Sequence, residues 1–232
     1  MALWLAGNAI LLLVAYFLGS IPPGYLAGRL LKGIDIREHG SGSTGATNVL
    51  RTLGKGPAIA VLLIDILKGV SAIVLVRWCY SLAIAQDLAT GAGALASGAA
   101  LDWMVTLAGL AALLGHSKSI WLNFTGGKSV ATGLGVLLAL SWQVGLSTLA
   151  VFGVVMAVSR IVSLSSITAA IAVFVFMLLL GQPLPYQLFA IAGGLYVVLR
   201  HRTNIQRLLA GTEPRIGQKL SQEPEQGLES NP

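Results

Sequence analysis

The chain has 232 residues, 55% of them hydrophobic and only 10% charged, with a formal net charge of +6 and a mean hydropathy of +0.80. A water-soluble domain carries roughly 25% charged residues, so a soluble globule is excluded, and no mixed, charged stretch of ~50 residues leaves room for a separate soluble domain. A single cysteine, Cys79, excludes a disulfide framework and a Cys-rich metal or iron–sulfur site.

The first apolar run extends from about Leu3 to Leu31 and is interrupted by Pro22 and Pro23. Nothing basic precedes it and the first positive charge, Arg29, lies near its far end, so it reads as a span and not as a cleavable signal peptide. Further apolar runs follow at 57–76, about 104–115, about 129–141, 144–159, 161–180 and 185–199. A membrane helix needs about 20 residues, so the third and fourth runs predict short or tilted helices around a polar, Gly-rich turn. Leu82–Ala100, dominated by Ala and Gly, reads as an interfacial connection. If the seven runs alternate across a bilayer, 13 of the 15 basic residues fall on one side, Arg77 falls on the other and Lys68 lies within a span. That asymmetry is the positive-inside signature: seven spans, N-terminus outside, C-terminus cytoplasmic. The expected fold class is an all-α integral membrane protein with a cytoplasm-facing polar pocket. It forms one domain over 1–216, followed by a disordered tail over 217–232 with almost nothing to bury.

Polar groups are costly in such a chain, so their clusters carry the information. The first runs from Gly40 to Arg51 and contains a literal G-x-G-x-x-G (Gly40, Gly42, Gly45). A dinucleotide fold is rejected because these glycines sit between spans and not in a βαβ unit. The underlying physics survives: glycines let backbone N–H groups approach an anion, and Arg51 offers a planar fork for a phosphate. A headgroup-level arginine in a flexible turn is the plainer alternative.

The second cluster runs from His116 through Thr125, Gly126, Gly127 and Lys128 to Ser129. A P-loop is rejected because Leu122 stands where the first glycine is required, but a glycine turn presenting Lys128 to phosphate remains. The third is Ser159, Arg160, Ser163, Ser165 and Ser166, where serines bonding their own helix are the competing reading. The fourth, Arg200 to Arg207, places His201 and Asn204 on one helical face. Asp65 and Lys68, inside the second span, form a potential buried ion pair. The three histidines are too scattered to indicate a metal site.

Together these motifs resemble the bacterial acyl-phosphate:glycerol-3-phosphate acyltransferases, integral membrane enzymes of phospholipid synthesis. The resemblance is carried by Gly-Ser-Gly-x-x-Gly-Ala-Thr-Asn-x-x-Arg, Gly-His…Phe-x-Gly-Gly-Lys, Arg-x-x-Ser and His-Arg-x-Asn-Ile, in order between about Gly19 and Pro214. It implies seven spans in the bacterial inner membrane with the active site facing the cytoplasm. It implies that Ser41, Asn48 and Arg51 bind phosphate, with Gly40 and Gly42 shaping their loop. Gly126, Gly127 and Lys128 would form a phosphate loop, and His201, Asn204, Ser163 and Ser166 would complete the pocket, with Ser41, Arg51, Lys128, His201 and Asn204 at the chemistry. The sequence departs from the family at Ser43, Ser119, Thr125 and Ser129; Ser129 replaces a usual glycine, and the connection at 86–100 is longer than the family needs.

The resemblance implies acyl transfer from acyl phosphate to sn-glycerol 3-phosphate, giving 1-acyl-glycerol 3-phosphate and phosphate. No cofactor, metal, nucleic acid or obligate protein partner is expected; the partners are the two substrates and membrane lipid. The chemistry suits the residues: two anionic substrates call for Arg and Lys, and the acyl chain calls for lipid. There is no G-x-S-x-G elbow, and no His-x4-Asp pair, since Thr44, Trp121 and Gln206 stand five residues after the three histidines. The hydroxyl proton is therefore expected to go to a substrate phosphate, with His201 as the alternative base. The alternative class is a transporter or channel for a small organic phosphate, against which the chain lacks an inverted repeat.

Overall fold

The computed structural model describes residues 2–90 and 97–218, with the side chains of 87–90 also left aside. Among the described residues all regular structure is helical, and ten α-helices form. They are α1 (Ala2–Ser20), α2 (Pro23–Lys32), α3 (Ala46–Thr52), α4 (Lys55–Thr90), α5 (Gly98–Ser117), α6 (Val130–Leu140), α7 (Trp142–Ser159), α8 (Val162–Leu179), α9 (Leu184–Arg200) and α10 (Arg202–Leu209). Short 3-10 turns at Ile36–Glu38 and Ile120–Leu122 lie in the two longest polar loops.

Each expected apolar run corresponds to a helix, but among the described residues five pass by length and apolarity as spans: α1 with α2, α4, α5, α7 and α8. The apolar helices α6 and α9 are shorter, at 11 and 17 residues. Two expectations are corrected. Leu82–Ala100 is not a continuous connection, because α4 runs for 36 residues to Thr90. No Gly or Pro interrupts Ser81–Thr90, and good helix formers carry the helix on. At 1.5 Å per residue it is about 54 Å long, well beyond the roughly 30 Å hydrocarbon layer. The third run also begins earlier than expected, at Gly98, where the Ser97 hydroxyl caps α5 by accepting from the Ala100 N–H at 3.2 Å. The middle of the expected connection and the expected tail beyond Gln218 lie outside the described residues.

The packing follows membrane logic. Large aliphatics point outward, with Leu3 90% and Val158 84% exposed, while the interior holds Ala, Gly, Ser and Val. Where helices touch, glycine lets backbones meet. A Cβ on Gly19 of α1 would overlap the Ala112 carbonyl of α5, and one on Gly115 of α5 would overlap the Tyr16 carbonyl of α1. Gly69 of α4 and Gly135 of α6 make the same reciprocal approach, against Thr132 and Ile66. The ends of α3, α5 and α9, and the starts of α6 and α8, lie at one end of the bundle.

Candidate active site

Three segments converge at that end. The first is the loop before α3. Asp35 starts it by accepting from the Arg37 N–H at 3.0 Å and pairing with the Arg37 guanidinium at 2.6 Å. The hydrogen bonds from Arg37 hold the Asp35 carboxyl down at about 2 despite its burial. Gly40 and Gly42 adopt left-handed φ values of 58° and 67°, turning the chain so that Ser41 is exposed.

Asn48 is 1% exposed, and its amide is spent on this loop. Its Nδ2 lies 3.0, 3.0 and 2.8 Å from the carbonyls of Ile36, His39 and Ser43, and its Oδ1 accepts the Ser41 N–H at 2.9 Å. In this arrangement Asn48 shapes the loop. Arg51, on the last turn of α3, is exposed and lies within electrostatic reach of Glu213 and Arg207.

The second segment links α5 to α6. Arg37 ties it to the first by donating to the Thr125 hydroxyl at 3.0 Å. Gly126 and Gly127 press against the end of α5: the Gly127 N–H donates to the His116 carbonyl at 3.3 Å. From the other side Arg200 donates to the Gly126 and Gly127 carbonyls at 3.2 and 3.1 Å. Ser129 has a φ of 62°, which explains why glycine suits this position. Its hydroxyl donates to the Leu113 carbonyl at 2.8 Å, which offsets the left-handed strain.

Lys128 therefore leaves a loop fixed on both sides. Its Nζ donates to Asn204 Oδ1 at 2.5 Å. Burial, reinforced by Arg207, Arg200 and Arg51 and opposed by Glu213, lowers its pKa to about 8.

The third segment is the junction of α9 and α10 with the strand of coil that follows. His201 is buried, with Nδ1 2.8 Å from the Val197 carbonyl. That contact assigns the proton to Nδ1 and leaves Nε2 an acceptor. Burial and then Lys128 and Arg200, working against the Val197 bond and Glu213, push its pKa down to about 4.

Asn204 takes Lys128 on its oxygen and donates its Nδ2 to Glu213 Oε1 at 2.6 Å. Glu213 also accepts from Ser163 at 2.7 Å and from Arg207 Nε at 2.7 Å. Burial alone would raise the Glu213 carboxyl, but these three donors hold it below its ordinary value.

The structure thus brings Lys128, His201, Asn204 and Ser163 into one cluster with Arg51 nearby. Ser166 is buried and bonds its own helix at Val162, 2.8 Å away; Ser165 likewise bonds Ile161. Glu213, Arg200 and Arg207 join this candidate site by their contacts, and motif reading did not include them. The signal available was Glu213 itself, a carboxylate following three arginines within fourteen positions.

Chemically the site is a set of cationic and amide donors with one carboxylate to balance Arg51, Lys128, Arg200 and Arg207. Such a site takes an anion.

Comparison with known proteins agrees. A family model described as "Glycerol-3-phosphate acyltransferase" matches residues 9–211. The glycerol-3-phosphate acyltransferase of Trichormus variabilis is 65% identical over 226 residues, covering 97% of this chain and 99% of that protein. That of Trichodesmium erythraeum is 63% identical over 220 residues, 95% of this chain and 96% of the relative.

Two crystal structures of PlsY (YgiH), an integral membrane glycerol 3-phosphate acyltransferase, share the fold. The glycerol 3-phosphate form has a TM-score of 0.79 at 39% identity, covering 91% of this chain and 96% of that chain. The lysophosphatidic acid form has a TM-score of 0.77 at 38% identity, with the same coverage. A transporter reading is thereby set aside, and the chain belongs to the glycerol-3-phosphate acyltransferase family of multi-pass membrane enzymes.

Proposed function

We propose that the protein transfers an acyl group from acyl phosphate to the 1-hydroxyl of sn-glycerol 3-phosphate. The products are 1-acyl-glycerol 3-phosphate (lysophosphatidic acid) and inorganic phosphate, in the first acylation of phospholipid synthesis. The observation that carries this reading is the surplus of fixed cations around Lys128, with Glu213 as the carboxylate set among them. Two phosphate-bearing substrates fill such a site and a neutral one does not.

An acyl phosphate is a mixed anhydride, so no enzyme nucleophile is required. The glycerol hydroxyl oxygen attacks the acyl carbon, the bond from that carbon to the phosphate oxygen breaks, and the hydroxyl proton leaves with the phosphate. Lys128 and Arg51 hold the anions and bring the reacting atoms together. Donors of the loops steady the tetrahedral oxyanion. His201, at about 4, is a weak base at neutral pH, which supports proton transfer to a substrate phosphate over transfer to imidazole.

The proposed setting is the bacterial inner membrane. Residues 1–216 act as one unit with seven crossings, the N-terminus outside and the active site cytoplasmic, and 217–232 form a tail. The basic residues that collect at one end of the bundle support this orientation. No cofactor, metal or obligate protein partner is invoked.

Purified protein in detergent, supplied with acyl phosphate and glycerol 3-phosphate, should release phosphate, and acyl-CoA should not replace the donor. Equal turnover with acyl-CoA would contradict the proposal. Reporter fusions at the two termini should land on opposite sides of the membrane.

A further inference from the structure

One cluster of ionisable groups takes no part in the reaction written above. Asp65 and Lys68 lie one turn apart on α4, their side chains 1% and 3% exposed, and His116 is buried at the end of α5. Lys68 Nζ stands 2.8 Å from Asp65 Oδ1, 2.8 Å from His116 Nδ1 and 2.9 Å from the Ile21 carbonyl. His116 Nδ1 and the Ile21 carbonyl accept hydrogen bonds from the ammonium, while Asp65 Oδ1 meets it as a charge partner and lies 3.3 Å from His116 Nδ1 as well. Donation to Nδ1 assigns the His116 proton to Nε2. The Ile21 carbonyl needs a partner because it falls in the break between α1 and α2, beside the Pro22–Pro23 pair that cannot continue the ladder.

A buried ion pair is a weak source of stability, since apolar replacement is often neutral. The geometry gives this one another task. The His116 carbonyl accepts the Gly127 N–H and backs directly against Gly126, and the ring Nε2 occupies the space that a Cβ on Gly127 would fill. Ring and carbonyl together form the floor beneath the two residues that precede Lys128. Arg200 holds the same two residues from the opposite side.

We propose that Asp65, Lys68 and His116 are positioning residues for the acyltransfer. Lys68, held by Asp65 and the Ile21 carbonyl, orients the His116 ring. His116 in turn sets the Gly126–Gly127 backbone that aims Lys128 at a substrate phosphate. The inference rests on reading Lys128 as a phosphate ligand.

Steady-state kinetics of purified variants test it, with Lys128→Ala as the reference that identifies which substrate's KM depends on the ammonium. The double variant Asp65→Asn/Lys68→Met removes both charges, so no unpaired charge is left buried, and its thermal unfolding reports whether the fold survives. Its kcat/KM should fall roughly tenfold to a hundredfold, the scale expected of a displaced binding group, with the KM rise on the same substrate as in Lys128→Ala. His116→Asn keeps an acceptor for Lys68 but removes the ring beneath Gly127, and should show the same pattern if the double variant does not fold. Wild-type kinetics in a folded variant, or a loss falling on the other substrate, would overturn the proposal. So would failure of both variants to fold, which would make the cluster a folding element. Wild-type kinetics in Lys128→Ala would instead remove the phosphate-ligand reading itself.

Discussion

The two ends of the helix bundle carry polar clusters of different character. At one end Arg77 donates to the Leu140 carbonyl at 3.2 Å and lies 3.4 Å from the Tyr186 hydroxyl, which donates to Asp102 at 2.9 Å. One cation meets one carboxylate through a phenol, and the charge closes on itself. At the other end Arg51, Arg200, Arg207 and a single carboxylate, Glu213, lie around Lys128, and the charge does not close. The balanced cluster joins α4, α5 and α9 and asks for no ligand. The unbalanced one suits an anion, and this imbalance, more than the number of polar residues, is what we propose marks the active site.

Lys128→Ala should break the comparison most severely, because a glycine turn positions one ammonium and cannot replace it. A hydrogen bond to a charged group is worth about 1.5–3 kcal/mol, so kcat/KM for acyl transfer should fall by about one to two decades. Arg51→Lys should fall nearly as far if the planar fork is what binds, since charge is retained and bidentate geometry is lost. An arginine serving only as a headgroup anchor would tolerate the change.

The pH profile sharpens the same point. Burial lowers the Lys128 pKa to about 8, and the proposed role requires its ammonium. The value of kcat/KM should therefore be sustained below that pH and decline as pH rises through it. Glu213 raises the Lys128 pKa, so Glu213→Gln should shift the declining limb to lower pH, as measured on purified variants.

At the balanced end Tyr186→Phe removes the bond to Asp102 and should cost about 1 kcal/mol of stability, read by thermal unfolding, while kcat/KM stays within twofold of wild type. The smallest effect should come from Ser129→Gly, which relieves a left-handed φ and gives up the bond to Leu113. These terms oppose each other, and the net change in stability should lie within about 1 kcal/mol.

The sequence made legible whatever depends on local chemistry. Seven apolar runs became seven helical segments because hydropathy is read residue by residue, and Lys128, His201 and Asn204 were visible because their motifs are short. Glu213 was not legible, since its partners Ser163, Asn204 and Arg207 meet it only after α8 and α10 pack.

Asn48 shows the opposite case. Its motif was visible, yet its amide is taken up by three loop carbonyls and one N–H, which spacing alone does not reveal. The Ala- and Gly-rich stretch after Leu82 hides the length of α4, because weak hydrophobicity there does not mean weak helicity.

We propose that the unbalanced cationic end, and not polar clustering in general, performs the acyl transfer. The most direct measurement is kcat/KM for phosphate release from acyl phosphate with glycerol 3-phosphate, compared among the wild type, Lys128→Ala and Tyr186→Phe in one detergent. Lys128→Ala should lose about one to two decades, and a destabilised Tyr186→Phe should keep wild-type turnover. Equal activity in all three, or the larger loss in Tyr186→Phe, would contradict it.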